Sequence, residues 1–152
     1  MGYKTVNNFR HFPRKRFGQH WLKDQGVLDQ IVKAARLDSE DCVLEVGPGK
    51  GALTEKLIES KAKFIQAIEL DRDLVVGLKK RFGHQNKFSL REGDVLSAPL
   101  EAENGQMINK VVANIPYNIT GPILKRLIGE LRKAPENSFE TLVLLMQKEV
   151  AQ

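Results

Sequence analysis

With 152 residues, 41% of them hydrophobic and 28% charged, the chain fits one domain and is long enough for a real core. No apolar stretch approaches the roughly 20 residues of a membrane-spanning helix, so we expect no membrane partner. The single cysteine, Cys42, excludes an internal disulfide and a cysteine-rich zinc site; we therefore expect no bound metal and a reducing, cytoplasmic compartment.

The net charge of +5 comes from the amino end of the chain. The first 23 residues contain 6 basic residues and no acid, whereas the rest holds 18 basic and 19 acidic residues. We expect residues 1–13 to form a basic arm in front of a domain at 14–152. The basic run at the start of that domain is a candidate for contacts with nucleic-acid phosphates: Arg14, Lys15 and Arg16. For the first twelve residues, a solvated, disordered tail is the alternative.

The predicted elements begin with a helix after Asp24, a good N-cap, because apolar residues recur there at helical spacing. A buried strand at 42–46 ends at Gly47, and a second helix begins beyond the glycine-rich turn. Further along, the patterns predict a strand at 64–68, a helix capped by Asp71 or Asp73 with Leu74, Leu78 and Phe82 inward, and a weaker strand at 87–90 that ends near Gly93-Asp94. They then predict a loop at 101–109, a strand at 110–113, a helix after Pro122, a loop at 133–139 and a strand at 141–146. Strands alternating with helices predict an α/β fold, a mostly parallel sheet with helices on both faces.

Four candidate functional residues stand at the carboxyl ends of predicted strands: Gly47, Glu69, Asp94 and Asn114. In parallel sheets of this kind, ligands bind beyond the carboxyl ends of the strands. The four positions therefore predict one shared site.

A glycine-rich turn, Gly47-Pro48-Gly49-Lys50-Gly51, follows the first strand and opens a helix. Glycines permit a tight turn and a close approach of the backbone to a ligand, which suits a nucleoside cofactor. The Gly-x-Gly-x-Gly spacing differs from the Gly-x-Gly-x-x-Gly of dinucleotide sites. A simple strand-to-helix turn is the alternative. Glu45 either orients the turn by accepting backbone N–H bonds or merely sits at the strand end.

Two carboxylates follow the second and third strands. Glu69 can accept hydrogen bonds from ribose hydroxyls; the alternative role is a helix cap, which Asp71 and Asp73 fit better. Asp94 can accept from the exocyclic amine of an adenine; the alternative is an Asx-turn residue. Both residues are candidates for binding the cofactor.

The tetrapeptide Asn114-Ile115-Pro116-Tyr117 follows the fourth strand and is the most specific signal in the chain. A base amine is a poor nucleophile because its lone pair is conjugated into the ring. The Asn114 side-chain oxygen and the Ile115 carbonyl, which Pro116 helps to fix, could accept its protons and favour the pyramidal amine. Tyr117 could stack on the base. Asn114, Pro116 and Tyr117 are therefore candidate catalytic residues, and a Pro-Tyr turn with Tyr117 in the core is the alternative.

The helix predicted after Pro122 carries four basic residues: Lys125, Arg126, Arg132 and Lys133. A solvated helix face is the default interpretation of such a set, and contact with RNA is the alternative.

Six segments occur in an order that resembles one known family: Phe17–Leu22, Leu44–Gly49, Ile68–Asp71, Gly93–Asp94, Asn114–Asn118 and Gln147–Ala151. They are similar to those of the ribosomal RNA adenine dimethyltransferase family (KsgA-type), which includes the erythromycin-resistance methylases. The resemblance covers roughly residues 14–152. It implies a Rossmann-like methyltransferase fold and an enzyme that uses S-adenosylmethionine. The KsgA branch dimethylates N6 of two adjacent adenosines in small-subunit ribosomal RNA.

The resemblance also implies roles for individual residues. The methionine end of S-adenosylmethionine would meet His20, Leu22 and the turn that contains Gly47 and Gly49. The ribose would meet Glu69, the adenine would meet Asp94, and Asn114 would lie between cofactor and target base. The expected partner is the immature small ribosomal subunit, and we expect a monomer.

Two features depart from the family pattern. His20 and Trp21 stand where Asn and Phe are the commoner pair. Family members continue past 147–151 into further strands and a helical C-terminal domain, so we expect a domain truncated before those parts.

Two other functional classes are weighed against this assignment. A ribosome-assembly or nucleic-acid-binding factor, with methyl transfer secondary, is the main alternative, because the basic arm supports it equally well. The hypothesis of a DNA or protein methyltransferase would also account for the tetrapeptide, but it does not account for the segment at 17–22. The glycine spacing disfavours a nicotinamide dehydrogenase.

Overall fold

The structure is a computed structural model that describes residues 24–115, 120–133 and 139–145. Along that part of the chain the elements are α1 (Gln25–Ala35), β1 (Cys42–Val46), α2 (Ala52–Glu59), β2 (Phe64–Glu69), α3 (Arg72–Phe82), β3 (Phe88–Glu92), β4 (Lys110–Asn114), α4 (Thr120–Lys133) and β5 (Thr141–Leu145). Helices and strands alternate as the apolar spacing predicts. The predicted boundary between the basic arm and the domain lies outside the described residues.

The five strands form one sheet in the order β3-β2-β1-β4-β5, and all four neighbouring pairs are parallel. The chain builds the sheet outward from β1 to β3 and then returns to the other side of β1 with β4. The strand order therefore reverses between β1 and β4, which is where open α/β sheets bind their ligands. The predicted α/β class with a parallel sheet is confirmed.

Helices cover both faces of the sheet, because successive strand side chains point to opposite faces. One face packs under α1, α2 and α3, with Leu28, Val43, Leu57, Ile65, Leu78 and Val112 among the buried residues. The other packs under α4 and the connection between β3 and β4, with Leu44, Ile68, Leu100, Val111, Ile123 and Leu127 among them. The predicted cover on both faces is confirmed.

Two aspartates begin helices as the sequence predicts. The Asp24 carboxylate accepts from the backbone N–H groups of Gly26 at 2.9 Å and Val27 at 3.3 Å. Asp71, rather than Asp73, is the N-cap of α3 and accepts from the backbone N–H groups two and three residues further on. Each cap satisfies helix N–H groups that have no partner within the helix.

Several element boundaries differ from the expectation. Helix α4 begins at Thr120, so Pro122 lies inside its first turn, where the missing N–H of proline has no helical partner to lose. Strand β3 begins at Phe88, one residue later than expected, whereas its end at Glu92 agrees with the predicted end near Gly93-Asp94. On α3 the fully buried stripe contains Val75 with Leu78 and Phe82, and Leu74 is only half-buried.

A buried polar cluster lies at the amino edge of the sheet, opposite the predicted site. The Lys110 ammonium donates to the carbonyls of Ala35 at 2.9 Å and Arg36 at 2.8 Å, and it pairs with Asp41 at 2.9 Å. Burial opposes ionisation of Asp41, but hydrogen bonds from Lys110 and Asn109 outweigh it and lower the pKa of that carboxyl. These contacts fasten the start of β4 to α1.

No helix in the described part of the chain is long and apolar enough to cross a membrane.

Candidate active site

The reversal point between β1 and β4 brings two predicted site residues into contact. Val46 and Ala113 are register partners, so Gly47 and Asn114 are the next residues along these adjacent strands. A methyl group built on Gly47 would lie 3.2 Å from the Asn114 carbonyl oxygen, and Gly47 has φ +69°. The backbone N–H of Gly47 donates to the Ile68 carbonyl at 3.0 Å, which ties the turn to β2. A side chain at position 47 would therefore crowd the strand end that carries Asn114.

Glu69 fixes the glycine-rich turn from the end of β2. Its Oε1 accepts from the backbone N–H of Gly49 at 3.0 Å, and its Oε2 accepts from the backbone N–H of Asp71 at 3.0 Å. The side chain is 6% exposed, and burial raises the pKa of Glu69 although these amides oppose the shift. Asp71 is the helix cap, as expected, but Glu69 also holds the N–H of that cap. Each carboxylate oxygen has a second lone pair with which to accept from a ligand.

Glu45 is fully buried under the same turn and has an unexpected partner. The Thr54 hydroxyl on α2 lies 2.9 Å from Oε1 and 2.7 Å from Oε2 of Glu45. Burial, opposed by this hydroxyl and reinforced by the charge of Glu69, raises the pKa of Glu45 to about 8. Glu45 is therefore mostly protonated at neutral pH. It contacts a side-chain hydroxyl, so neither a bond to turn amides nor a passive strand end describes it.

Asp94 lies two residues past β3 in an Asx-turn. Its Oδ1 accepts from the backbone N–H of Leu96 at 2.9 Å, and its main-chain carbonyl accepts from Ser97 and Ala98. The turn, considered above as the alternative to ligand binding, is thus present. It leaves the half-buried carboxylate with a second oxygen, so the turn and the predicted contact with adenine are compatible. The preceding N–H, of Gly93, donates to the Glu69 carbonyl at 2.9 Å.

Asn114 ends β4 with its side chain 4% exposed. Among the residues that the structure describes, its Nδ2 is the buried side-chain polar atom that lacks a hydrogen-bond partner. Leaving a buried donor unsatisfied costs on the order of 1–3 kcal/mol. A polar group kept at that cost, beside a glycine-rich turn at the strand reversal, is typical of a ligand-binding position.

The structure thus links the four strand ends through contacts between neighbouring pairs. Asn114 adjoins Gly47, Gly49 binds Glu69, and the Glu69 carbonyl binds Gly93 beside Asp94. Several predicted site residues lie outside the described part of the chain: Arg14, Lys15, Arg16, His20, Leu22, Pro116 and Tyr117.

Two residues near the site make contacts that the sequence does not predict. Thr54 is a fully buried polar residue between Leu53 and Leu57 on α2, and a hydroxyl on an apolar helix face is the signal that marks it. For Arg126 the solvated face, the default interpretation, is wrong: the residue is half-buried, and its Nη1 donates to the Val95 carbonyl, one residue after Asp94. Contact of Arg126 with RNA stays a prediction.

The family follows from comparison with known proteins. A family model described as ribosomal RNA adenine dimethylase matches residues 10–152. The chain belongs to the ribosomal RNA adenine dimethylase family. The family expected from the six ordered segments is therefore confirmed.

A curated relative supports the family assignment. Ribosomal RNA small subunit methyltransferase A of Prochlorococcus marinus (strain NATL1A) is 89% identical over 151 residues, which is 99% of this chain and 52% of that protein. The chain thus spans about half the length of the curated relatives that it matches.

Two solved structures resemble the chain. A dimethyladenosine transferase from Plasmodium falciparum has a TM-score of 0.71 and 36% identity, over 85% of this chain and 44% of that one. The 23S rRNA methyltransferase ErmE has a TM-score of 0.70 and 29% identity, over 85% and 48%. They confirm the expected Rossmann-like methyltransferase fold.

Proposed function

We propose that this chain forms the cofactor-binding part of an S-adenosylmethionine-dependent enzyme that dimethylates N6 of two adjacent adenosines in small-subunit ribosomal RNA. The observation that carries the proposal is the buried, unpaired Nδ2 of Asn114, next to a turn that Glu69 holds open. The membership of the chain in the ribosomal RNA adenine dimethylase family supports the choice of reaction. The name of the Prochlorococcus relative supports the small subunit as the source of the RNA.

The residues at the strand ends fit an adenosine-containing cofactor. Gly47 and Gly49 have φ +69° and +61°. Among the residues that the structure describes, apart from its chain neighbours, none would lie within 4 Å of a methyl group on Gly49, which suits a close approach of a ligand to the turn. Glu69 is already oriented by two amides and accepts the ribose hydroxyls. Asp94 accepts the adenine amine with the oxygen that its turn does not use. We assign His20 and Leu22 to the methionine end.

The chemistry assigned to this chain is the activation of an amine. S-adenosylmethionine, when bound, supplies an electrophilic methyl group. The Oδ1 of Asn114 and the carbonyl of Ile115 accept hydrogen bonds from the two N6–H groups. These bonds favour the pyramidal amine, whose lone pair is no longer conjugated with the ring. The Nδ2 of Asn114 is then available to an acceptor on the base, because an asparagine amide complements the paired donor and acceptor of an adenine edge. The alkylated amine is acidic and releases its proton without a dedicated base.

The remaining assignments concern the RNA. Pro116 fixes the Ile115 carbonyl, and Tyr117 stacks on the everted base, which offsets part of the few kcal/mol needed to remove it from its stack. Arg14, Lys15 and Arg16 contact phosphates, so binding to RNA weakens as salt rises. We assign the protein to the cytoplasm, acting as a monomer on the immature small ribosomal subunit.

The proposal is tested by incubating the full-length protein with immature small ribosomal subunits and S-adenosylmethionine labelled in its methyl group. We expect label in N6-dimethyladenosine after digestion of the RNA. Label confined to protein, or absence of label from adenosine, would reject the proposal. Restored subunit maturation by a variant without methyl transfer would instead favour an assembly factor.

A further inference from the structure

The connection between β3 and β4 carries Asp94 and lacks regular secondary structure over residues 93–109. Such a segment adopts one conformation only where contacts from other elements hold it. Its first residue, Gly93, is held by the Glu69 carbonyl. Further on, Arg91 donates to the carbonyls of Pro99 at 2.7 Å and Glu101 at 2.9 Å. Leu96, Ser97 and Ala98 donate to Asp94 and close a local turn. Those bonds lie within the connection itself, so fixing the turn against the rest of the domain takes a support from another element.

Arg126 on α4 supplies that support. Its guanidinium Nη1 donates to the main-chain carbonyl of Val95, and Val95 itself is buried. Ile123 and Leu127, on the same helix, are 1% and 0% exposed and belong to the apolar cluster that contains Val95. The polar and apolar contacts together fix α4 against this stretch. A guanidinium is charged at all accessible pH values, so its hydrogen bond to a carbonyl is of the strong, charge-assisted kind.

The same helix is also close in sequence to the predicted acceptor site. Helix α4 begins at Thr120, six residues after Asn114. The Arg126 contact therefore joins the helix that follows the tetrapeptide at 114–117 to the connection that carries Asp94.

We propose that Arg126 is a positioning residue for the adenine end of the cofactor site: by holding the Val95 carbonyl, it keeps Asp94 where its carboxylate accepts the adenine amine. This inference rests on the proposed function and deepens it. Arg126 itself need not touch the cofactor, and its effect on binding passes through Asp94.

The test measures binding of S-adenosylhomocysteine to the full-length protein by titration calorimetry, in a double-mutant cycle of Arg126→Gln and Asp94→Ala. We expect Arg126→Gln to weaken binding about tenfold, which corresponds to about 1.4 kcal/mol. In the Asp94→Ala background the same change should alter Kd by less than about twofold, because effects that act through one residue are not additive.

Two further variants make the result specific. Lys125→Gln removes the same charge from the neighbouring, exposed position on α4 and should leave Kd unchanged. Arg126→Lys retains a cationic donor and should recover part of the lost affinity. Arg126→Lys also keeps the positive charge at this position. If Arg126→Gln does not fold, the double-mutant cycle with Asp94→Ala is measured with Arg126→Lys in its place.

Each outcome decides the inference. Non-additive losses confined to position 126 support it. A full loss that persists in the Asp94→Ala background, or an unchanged Kd for Arg126→Gln, overturns it while leaving the proposed function intact. Failure of the unaltered protein to bind S-adenosylhomocysteine contradicts the proposed function itself, and the assignment of Arg126 falls with it.

Discussion

The backbone N–H of Gly49 donates to the Oε1 of Glu69 at 3.0 Å, and this bond joins the ends of β1 and β2 across a separation of 20 residues. The other oxygen of the same carboxylate holds the N–H of Asp71 at the start of α3. One buried side chain therefore holds both the glycine-rich turn and the start of the next helix.

Replacing Glu69 by glutamine should destabilise the protein. The amide keeps one oxygen but places an NH₂ group against the N–H of either Gly49 or Asp71, which leaves buried donors facing each other. We expect the free energy of unfolding, measured in urea, to fall by about 1–3 kcal/mol.

The matched control is Glu92→Gln, at the register partner of Glu69 on β3. Glu92 is exposed and pairs with the exposed Arg72 at 3.1 Å, so its loss should cost no more than about 1 kcal/mol. Equal effects of the two substitutions would contradict the role given to Glu69.

Glu45→Gln should change how stability depends on pH. The pKa of Glu45 is about 8 in the folded protein and ordinarily 4.5, so between these values the folded state binds the extra proton. The stabilisation that protonated Glu45 gives the folded state is complete below pH 4.5. It is lost as pH rises through about 8, and the free energy of unfolding falls by at most about 1.4 kcal/mol per pH unit. Glutamine does not titrate, so this loss disappears.

The measurement is the free energy of unfolding of both proteins at several pH values from 4 to 9. The advantage of Glu45→Gln over the unaltered protein should grow as pH rises between about 5 and 8. Glu40→Gln, at an exposed acid, serves as the control. A constant difference between the Glu45 variant and the unaltered protein would show that Glu45 is ionised in the folded state.

Two glycines of the turn should differ in their tolerance of alanine. A methyl group on Gly51 would lie 2.6 Å from the Phe82 ring, and the residue has φ +94°, so both sterics and backbone oppose it. At Gly49 no described residue beyond its chain neighbours would lie within 4 Å of the methyl group, so the positive φ is the obstacle to alanine, at a cost of about 1–2 kcal/mol. Thermal unfolding should therefore rank Gly51→Ala well below Gly49→Ala in stability. The reverse order would contradict the packing of α3 against the turn.

Much of the fold is readable from the sequence, because apolar periodicity directly records which side of an element faces the core. The spacing predicts all five strands and the four described helices, and the strand ends predict where Gly47, Glu69, Asp94 and Asn114 stand. Some boundaries are predicted less accurately, because helix geometry admits Pro122 within the first turn of α4, where composition predicts a helix that starts after it.

The partners of polar side chains were harder to predict, because they depend on how elements pack together. Nothing local to Glu45 specifies that Thr54, on the following helix, would supply its hydrogen bond. The periodicity of α4 does not reveal that the Arg126 side chain contacts Val95, because Val95 belongs to the irregular connection between β3 and β4. Ligand roles at these positions stay predictions.

The central claim concerns Asn114, and the most direct test is a single-turnover measurement of methyl transfer to small-subunit RNA at saturating cofactor, paired with urea unfolding. For Asn114→Ala we expect a rate at least about 100-fold lower, with stability unchanged or raised because an unpaired buried donor is gone.

Asn109, the residue directly before β4, provides the control at the opposite edge of the sheet. Its side chain accepts from the Cys42 N–H at 2.8 Å and donates to Asp41 at 2.8 Å, so Asn109→Ala should lose stability and keep its transfer rate. An Asn114→Ala protein that transfers methyl groups at the unaltered rate, or that loses both stability and rate as a misfolded protein would, contradicts the account.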